Sequence, residues 1–282
     1  MAITATQKTN VVIPEVMADM IREELPARLA FGAFLDINTD LVGVPGDTIT
    51  LPKWSLIDVA EDVSEMAEIP YSTLKSSKTK IEIKKVGRGV EISDEAQLSG
   101  MGNPMEEAKE QILMAIARKI DADALVMFKG ATLKYNRKST ELSYDVICDA
   151  LTKFGEKVDV DRVMYVTPEQ YAKLRKDPNW IKMADLTGVP VGVSGVVGKM
   201  ASVFIKVTNA DLDASGAVAN VILEGKCGTL ALKREANVET ARDIDKKATK
   251  INADQFYGMG IKDDTKVLVL TTKKSTVTAS EM

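Results

Sequence analysis

The clearest periodic signal lies between residues 103 and 129. Met105, Ala108, Ile112, Ile116, Ile120, Ala124 and Met127 recur at three- and four-residue steps, which places them on one face of an α-helix. Asn103 suits the N-cap, Pro104 the first helical position, and Glu106 completes a capping-box spacing. Lys129-Gly130 closes the C-terminus. At 1.5 Å per residue this helix is on the order of 38 Å long. A second stripe, Val16, Met17, Met20, Ile21, Leu25 and Leu29, predicts a short amphipathic helix over Pro14 to Ala30, which Pro26 must kink or end. It has no large core of its own to lie on. Residues Met1 to Asn10 are polar and read as an extended arm.

The pattern changes period in between. Thr48 to Leu51 and Lys78 to Ile83 alternate polar and apolar, as strands do. They flank a poorly patterned acidic stretch carrying Asp58, Glu61, Asp62, Glu65 and Glu68. A long two-stranded hairpin is the simplest structure, each arm of ~10 residues reaching roughly 30 Å. Such a hairpin is marginal in water by itself, and the chain offers it no obvious internal partner. Further on, Ser143 to Phe154 is an amphipathic helix through Val146, Ile147, Ala150, Leu151 and Phe154. Thr167-Pro168-Glu169-Gln170 is a capping box leading into Tyr171 to Arg175. Strands are expected at Arg162–Val166 and near Ser202 to Val207, Ala217 to Leu223, Thr229 to Arg234, Val238 to Asp243 and Lys266 to Leu270. The fold class is α+β, with a hairpin projecting from it.

Composition narrows the function. The 282 residues, 45% of them hydrophobic, suffice for one large core or two modest ones. A net charge of -4 with both signs dispersed argues against nucleic-acid binding by phosphate neutralisation as the main task. There is no histidine, which removes the commonest general base and zinc ligand. Cys148 and Cys227 are far apart and read as small buried hydrophobes. The sequence lacks a membrane-spanning apolar run and a signal peptide, so a soluble, intracellular chain is expected.

The candidate motifs are bland. Gly192 to Met200, GVSGVVGKM, has five residues between Gly192 and Gly198 where a phosphate-binding loop needs four, and Met200 where it needs a hydroxyl. These glycines are read as turn residues. The pairs Asp121/Asp123, Asp159/Asp161, Asp211/Asp213 and Asp243/Asp245 lack the further oxygen ligands and glycine of a calcium loop. Trp54 and Trp180 are packing residues more often than stacking platforms. No catalytic residue, cofactor or metal site emerges, which weighs against an α+β enzyme.

The order of segments is informative as a whole. A polar arm precedes a hairpin headed by GDTITLPKW (Gly46 to Trp54), then GRGVEISDEA (Gly87 to Ala96), one long helix and a mixed domain. GVPVGVSGVVGKMASVFI (Gly188 to Ile205) and FYGMGIKDDTKVLVL (Phe256 to Leu270) follow. This order resembles the major capsid proteins of tailed bacteriophages, whose fold encapsulin shells and the herpesvirus capsid floor share. The resemblance implies an N-terminal arm over 1–43 and an extended loop over 44–86. It implies a peripheral domain over 87–143 and 228–282 with its spine helix at 103–129, and an axial domain over 144–227.

The implied function is structural: a subunit that self-assembles, through hexamers and pentamers, into an icosahedral shell around double-stranded DNA. The implied place is the virion, assembled in the bacterial host cytoplasm. The missing partner of the hairpin would then be another copy of the chain. Candidate inter-subunit contacts are Trp54, the acids Asp58, Glu61, Asp62, Glu65 and Glu68, and the basic groups Arg88, Arg118 and Lys119. The chain has no room for a cleaved scaffolding segment, so a separate scaffolding protein is expected, with a portal, non-specifically contacted DNA, and room for a decoration protein outside. No lysine–asparagine cross-link is assigned, although Lys53, Asn237 and Asn252 are available. The alternative on the same fold is an encapsulin-like compartment packaging a cargo enzyme.

Overall fold

The computed structural model describes residues 24–25, 28–54, 59–64, 66, 68–69, 71–74, 76–99, 104–157, 160–182, 195–210, 212–214 and 216–274. The expected Asn103 cap, the Pro26 kink and the arm before residue 24 lie outside them. The long helix, Pro104–Lys129, forms as its periodicity requires. It follows a one-and-a-half-turn helix, Asp94–Ser99. Ala108, Ile112, Ile116, Ile120, Ala124 and Phe128 of the long helix are buried along one stripe.

That stripe lies on a four-stranded sheet. In chain order its strands are β1 (Leu35–Asn38), β4 (Lys84–Ser93), β12 (Gly228–Asp243) and β13 (Ala248–Ile261), arranged β1-β12-β13-β4. β1 adds in parallel to β12, and the other pairs are antiparallel. β12 is one strand where two were expected. The register slips between Leu232 and Arg234 and between Arg234 and Asn237, and that irregularity breaks its alternation.

The second sheet has eight strands: β5 (Leu133–Arg137), β6 (Arg162–Val166), β7 (Ile181–Lys182), β8 (Val196–Met200), β9 (Val203–Val207), β10 (Asp213–Ala214), β11 (Ala217–Glu224) and β14 (Val267–Lys273). Its centre is buried on both faces, so β6 and β11 are apolar or small at every position but Arg162, Asn220 and Glu224. Val163, Tyr165, Val221, Leu223, Val267 and Val269 point into the core shared with the long helix. Met164, Val166, Ile222, Leu268 and Leu270 point the other way, onto the helices Tyr144–Leu151 and Pro168–Leu174. The second of these helices carries the expected capping box between Thr167 and Gln170. Trp180 packs edge-on against Tyr171 and over Gly198, as a packing residue.

β14 pairs with β11 along seven residues and carries β5 on its outer edge, while Val267 and Val269 of β14 pack into the core shared with the long helix. Two expectations are corrected. Val196 to Met200, read within a run of turn glycines, is strand β8. The end of the arm does have a core to lie on: Leu25, Phe31, Phe34 and Leu35 are buried with the long helix and β6.

Polar groups hold that entry. Asp121 accepts the N–H groups of Ala30 and Phe31 at 3.0 and 3.2 Å, while the Tyr165 hydroxyl and the Lys206 ammonium donate to the Ala30 carbonyl at 2.6 and 3.1 Å. Burial raises the Asp121 carboxyl above its ordinary range despite those N–H bonds, and burial lowers Lys206.

Candidate assembly surface

The expected hairpin is present. β2 (Thr48–Trp54) pairs with β3 (Ser76–Glu82) antiparallel over seven residues, shorter than the ten anticipated. Seven residues at about 3.3 Å each reach roughly 23 Å. Its base, contrary to expectation, has a partner inside the chain. Ile81 is buried against β13, seated over Gly258 and Gly260. A Cβ on Gly258 would come within 2.6 Å of the Glu82 carbonyl oxygen and 2.7 Å of Ile81 Cγ2, and one on Gly260 within 2.6 Å of Ile81 Cγ1. Only glycine admits this knob. Lys233 reaches the Gly46 carbonyl at 2.7 Å and Asp47 at 2.8 Å beside the base, and at the other end of β2 Lys53 pairs with Asp264 at 2.6 Å. The Lys233 hydrogen bond holds the Asp47 carboxyl below the usual range.

The fit makes a direct prediction. Gly258→Val should overpack the notch and cost about 1–3 kcal/mol. Urea unfolding would read that loss, and limited proteolysis should show faster cleavage within 44–86. An unchanged unfolding midpoint and cleavage rate would mean that the hairpin base is not seated there.

Beyond the paired strands the described residues of the hairpin have little cover. Val59, Met66, Ile69, Tyr71 and Leu74 are more than half exposed, with Met66 and Tyr71 essentially bare. Glu61, Asp62 and Glu68 are exposed and make no ion pair among the described residues. Asp58 and Glu65 lie outside the described residues. Trp54 ends β2 opposite Ser76, and its side chain lies outside them too. This is an acidic segment that also carries large apolar side chains, a combination the sequence pattern had not separated from an ordinary loop.

The proposed basic recipients are scattered. Arg88 is exposed on β4, the edge strand of the four-stranded sheet. Arg118 and Lys119 are exposed on the long helix, and Lys119 is already paired with Asp123 at 3.0 Å. Asp123 also accepts from Lys84 and from the Tyr257 hydroxyl, each at 2.6 Å. Burial would raise its carboxyl, but these three hydrogen bonds outweigh it and the net shift is downward.

Sequence reasoning missed the neighbourhood of Phe256. The Arg234 guanidinium lies 4.8 Å and the Lys85 ammonium 5.6 Å from its ring, and Arg234 also pairs with Asp254. Beside it opens a groove of about 780 Å³ whose lining includes Val42, Val44 and Pro45. The signal existed in the two valines of VGVPG, Val42 and Val44, but nothing in the sequence joins them to residue 256.

Among the described residues no group of acidic or cysteine side chains is placed to hold a metal ion, and no helix is long and apolar enough to cross a membrane.

The comparisons with known proteins match this architecture along most of its length. The model of a family described as phage capsid protein matches residues 76–270. The chain belongs to that family, as a phage major capsid protein. The major capsid protein of Staphylococcus phage phiMR11 is 33% identical over 268 residues, covering 94% of this chain and 95% of that one.

Solved capsid proteins share the fold at much lower identity. Cyanophage P-SCSP1u matches at a TM-score of 0.67 with 14% identity, covering 87% and 88% of the two chains. Ralstonia phage GP4 matches at 0.68 with 10% identity, covering 88% and 89%. The capsid subunit is therefore a structural component of a phage particle with the tailed-phage major capsid fold. The encapsulin-like alternative is not favoured.

Proposed function

We propose that this capsid subunit closes, through hexamers and pentamers, into an icosahedral shell around double-stranded DNA held without sequence specificity. The observation that carries the reading is the distal hairpin, whose large apolar residues stand bare among the described residues and would gain cover from another molecule. Identical subunits satisfy such surfaces most simply in closed symmetric assemblies. In this reading 1–43 is the arm, 44–86 the extended loop, 87–143 with 228–282 a peripheral domain whose spine is the long helix, and 144–227 an axial domain. A separate scaffolding protein and a portal take part in assembly in the bacterial cytoplasm, a decoration protein has room outside, and the subunit performs no catalysis. Electron microscopy and sedimentation of the purified protein, alone and with its scaffold, should show closed shells or rings. A compact monomer under every condition would overturn the reading.

The acidic segment belongs to the same reading. Glu61, Asp62 and Glu65 set the register of a neighbour, because complementary charge steers encounter and orientation more than it adds affinity. Reversing all three to lysine should leave the fold intact, since Glu61 and Asp62 support no core. Shell formation, followed by light scattering, should slow at least several-fold at low salt and recover as salt screens the repulsion. Wild-type rates at low salt would return the segment to a solvated loop.

A further inference from the structure

We infer that Lys53 and Asp264 form a latch that ties the far end of the hairpin to the joint between the two sheets, so that the direction of the hairpin and the angle between the sheets change together. Its role in assembly rests on the shell reading above. The path of the hairpin, the construction of the joint and the setting of the ion pair each support it.

The paired strands lie along the subunit's own β13. The Glu82 carbonyl and Ile81 stand over Gly258, Ile81 stands also over Gly260, and Thr79 Cγ2 would be 3.9 Å from a Cβ on Gly260. Lys53, opposite Ser77, then reaches Asp264. As the hairpin contacts run from residue 82 down to 77, their partners climb from 258 to 264. The hairpin is therefore followed by its own subunit from the base to the last paired residues.

Asp264 stands at a special place in the topology. The chain crosses between the sheets from β11 to β12 through 225–227, and from β13 to β14 through 262–266. The Cys227 carbonyl accepts the N–H groups of Lys262 and Asp263 at 2.8 and 3.2 Å, which bonds the two crossings to each other. Asp36 of β1 takes one lysine from each, Lys262 at 2.9 Å and Lys226 at 3.6 Å. The Asp263 carboxylate accepts from the backbone and hydroxyl of Thr265. Asp264, beside it, turns to the hairpin instead.

The ion pair is better sheltered than an ordinary surface pair. Lys53 and Asp264 meet at 2.6 Å with side chains 20% and 35% exposed, whereas Lys80 and Glu82 within the hairpin meet at 3.5 Å with 62% and 77% exposed. Shelter reduces screening by salt. Ile81 in its glycine notch is one fixed point, on the four-stranded sheet, and it leaves the hairpin free to turn. Asp264 is a second, on the crossing to the eight-stranded sheet. Two points set a direction, and a rotation of one sheet against the other must carry the hairpin with it or break the pair. The bare apolar segment beyond Trp54 is thereby presented in a direction that the joint sets.

Hydrogen exchange on the full-length subunit before assembly tests the latch. Lys53→Met and Asp264→Asn should each speed exchange of the outer hairpin amides, 50–53 and 76–79, by about threefold to fivefold, the range for one partly exposed ion pair. The amides of Lys262 and Asp263 should follow. The double variant should be no faster than either single one, because each removes the same interaction, and Lys53→Arg should match the wild type. Unchanged exchange in the single variants, or effects that multiply in the double variant, would overturn the latch. Loosening confined to the hairpin would overturn its coupling to the joint.

Electron microscopy of the assembled products tests the role. Lys53→Met and Asp264→Asn should lower the share of correctly sized closed shells several-fold in favour of open or mis-sized ones, and Lys53→Arg should restore it. Normal shells from variants whose hairpins exchange faster would overturn the role in assembly while leaving the shell reading standing. Absence of shells from the wild-type chain would overturn the shell reading and this role with it, and the exchange rates would still decide whether the latch exists.

Discussion

Phe31→Ala is expected to destabilise the subunit by about 3–5 kcal/mol, the range for deleting a fully buried aromatic side chain. Phe31 is wholly buried, its ring 4.2 Å from that of Tyr165 and 6.0 Å from that of Phe128. It therefore joins three elements: the end of the arm, the eight-stranded sheet and the long helix. The backbone around it is pinned by Asp121, Tyr165 and Lys206, so the chain cannot easily collapse into the vacated space. Partial relaxation is what lowers the cost of a cavity, and here it is obstructed. Urea unfolding of the wild type and the variant would measure the difference. A loss below about 1 kcal/mol would detach the end of the arm from the core.

The second large effect is expected at a buried ion pair. Arg162 and Glu224 sit opposite each other on β6 and β11, their side chains 4% and 7% exposed. Two guanidinium nitrogens meet one carboxylate oxygen at 3.1 and 3.0 Å, another contact runs to the Lys157 carbonyl, and the guanidinium lies 4.4 Å over the Phe154 ring. Glu224→Ala removes the counter-charge and leaves the guanidinium buried, at a cost of about 3–5 kcal/mol. Replacing both residues by apolar ones of similar volume, Arg162→Met with Glu224→Leu, should cost far less or even stabilise, because the desolvation of two charges is no longer incurred. The unfolding free energies of the wild type, Glu224→Ala and the double variant decide the matter. A double variant as unstable as Glu224→Ala would mean that lost packing, and not the stranded charge, dominates.

Both sites show how unevenly the sequence speaks. Arg162 was legible as the first residue of a strand, but its partner lies 62 positions away and only sheet pairing brings Glu224 opposite it. Phe31 falls just past the helical stripe that ends at Leu29, so nothing local marked it as core.

Sequence by itself determined the elements whose signal is local. The long helix is legible because one face of it meets a continuous apolar surface, which imposes the 3.6-residue period. The Thr167 capping box is legible because its hydrogen bonds span three residues. β6 is legible because both of its faces are buried, and the hairpin because its two strands alternate. The acidic segment and its want of cover could be read in the same way.

Tertiary structure decided the rest. β13 is the centre of the four-stranded sheet, yet ATKINADQFYGMGI shows no clean alternation. Gly258 and Gly260 occupy positions where a strand would ordinarily carry side chains, because Ile81 from the hairpin fills that space. Placing β5 and β14 in the eight-stranded sheet depended on pairings between distant segments, which the composition of neither strand specifies. The groove beside Phe256 draws its walls from residues 42–45 and 233–235, far apart along the chain. A surface of that kind has no sequence period, because its shape arises where separate segments happen to be packed side by side.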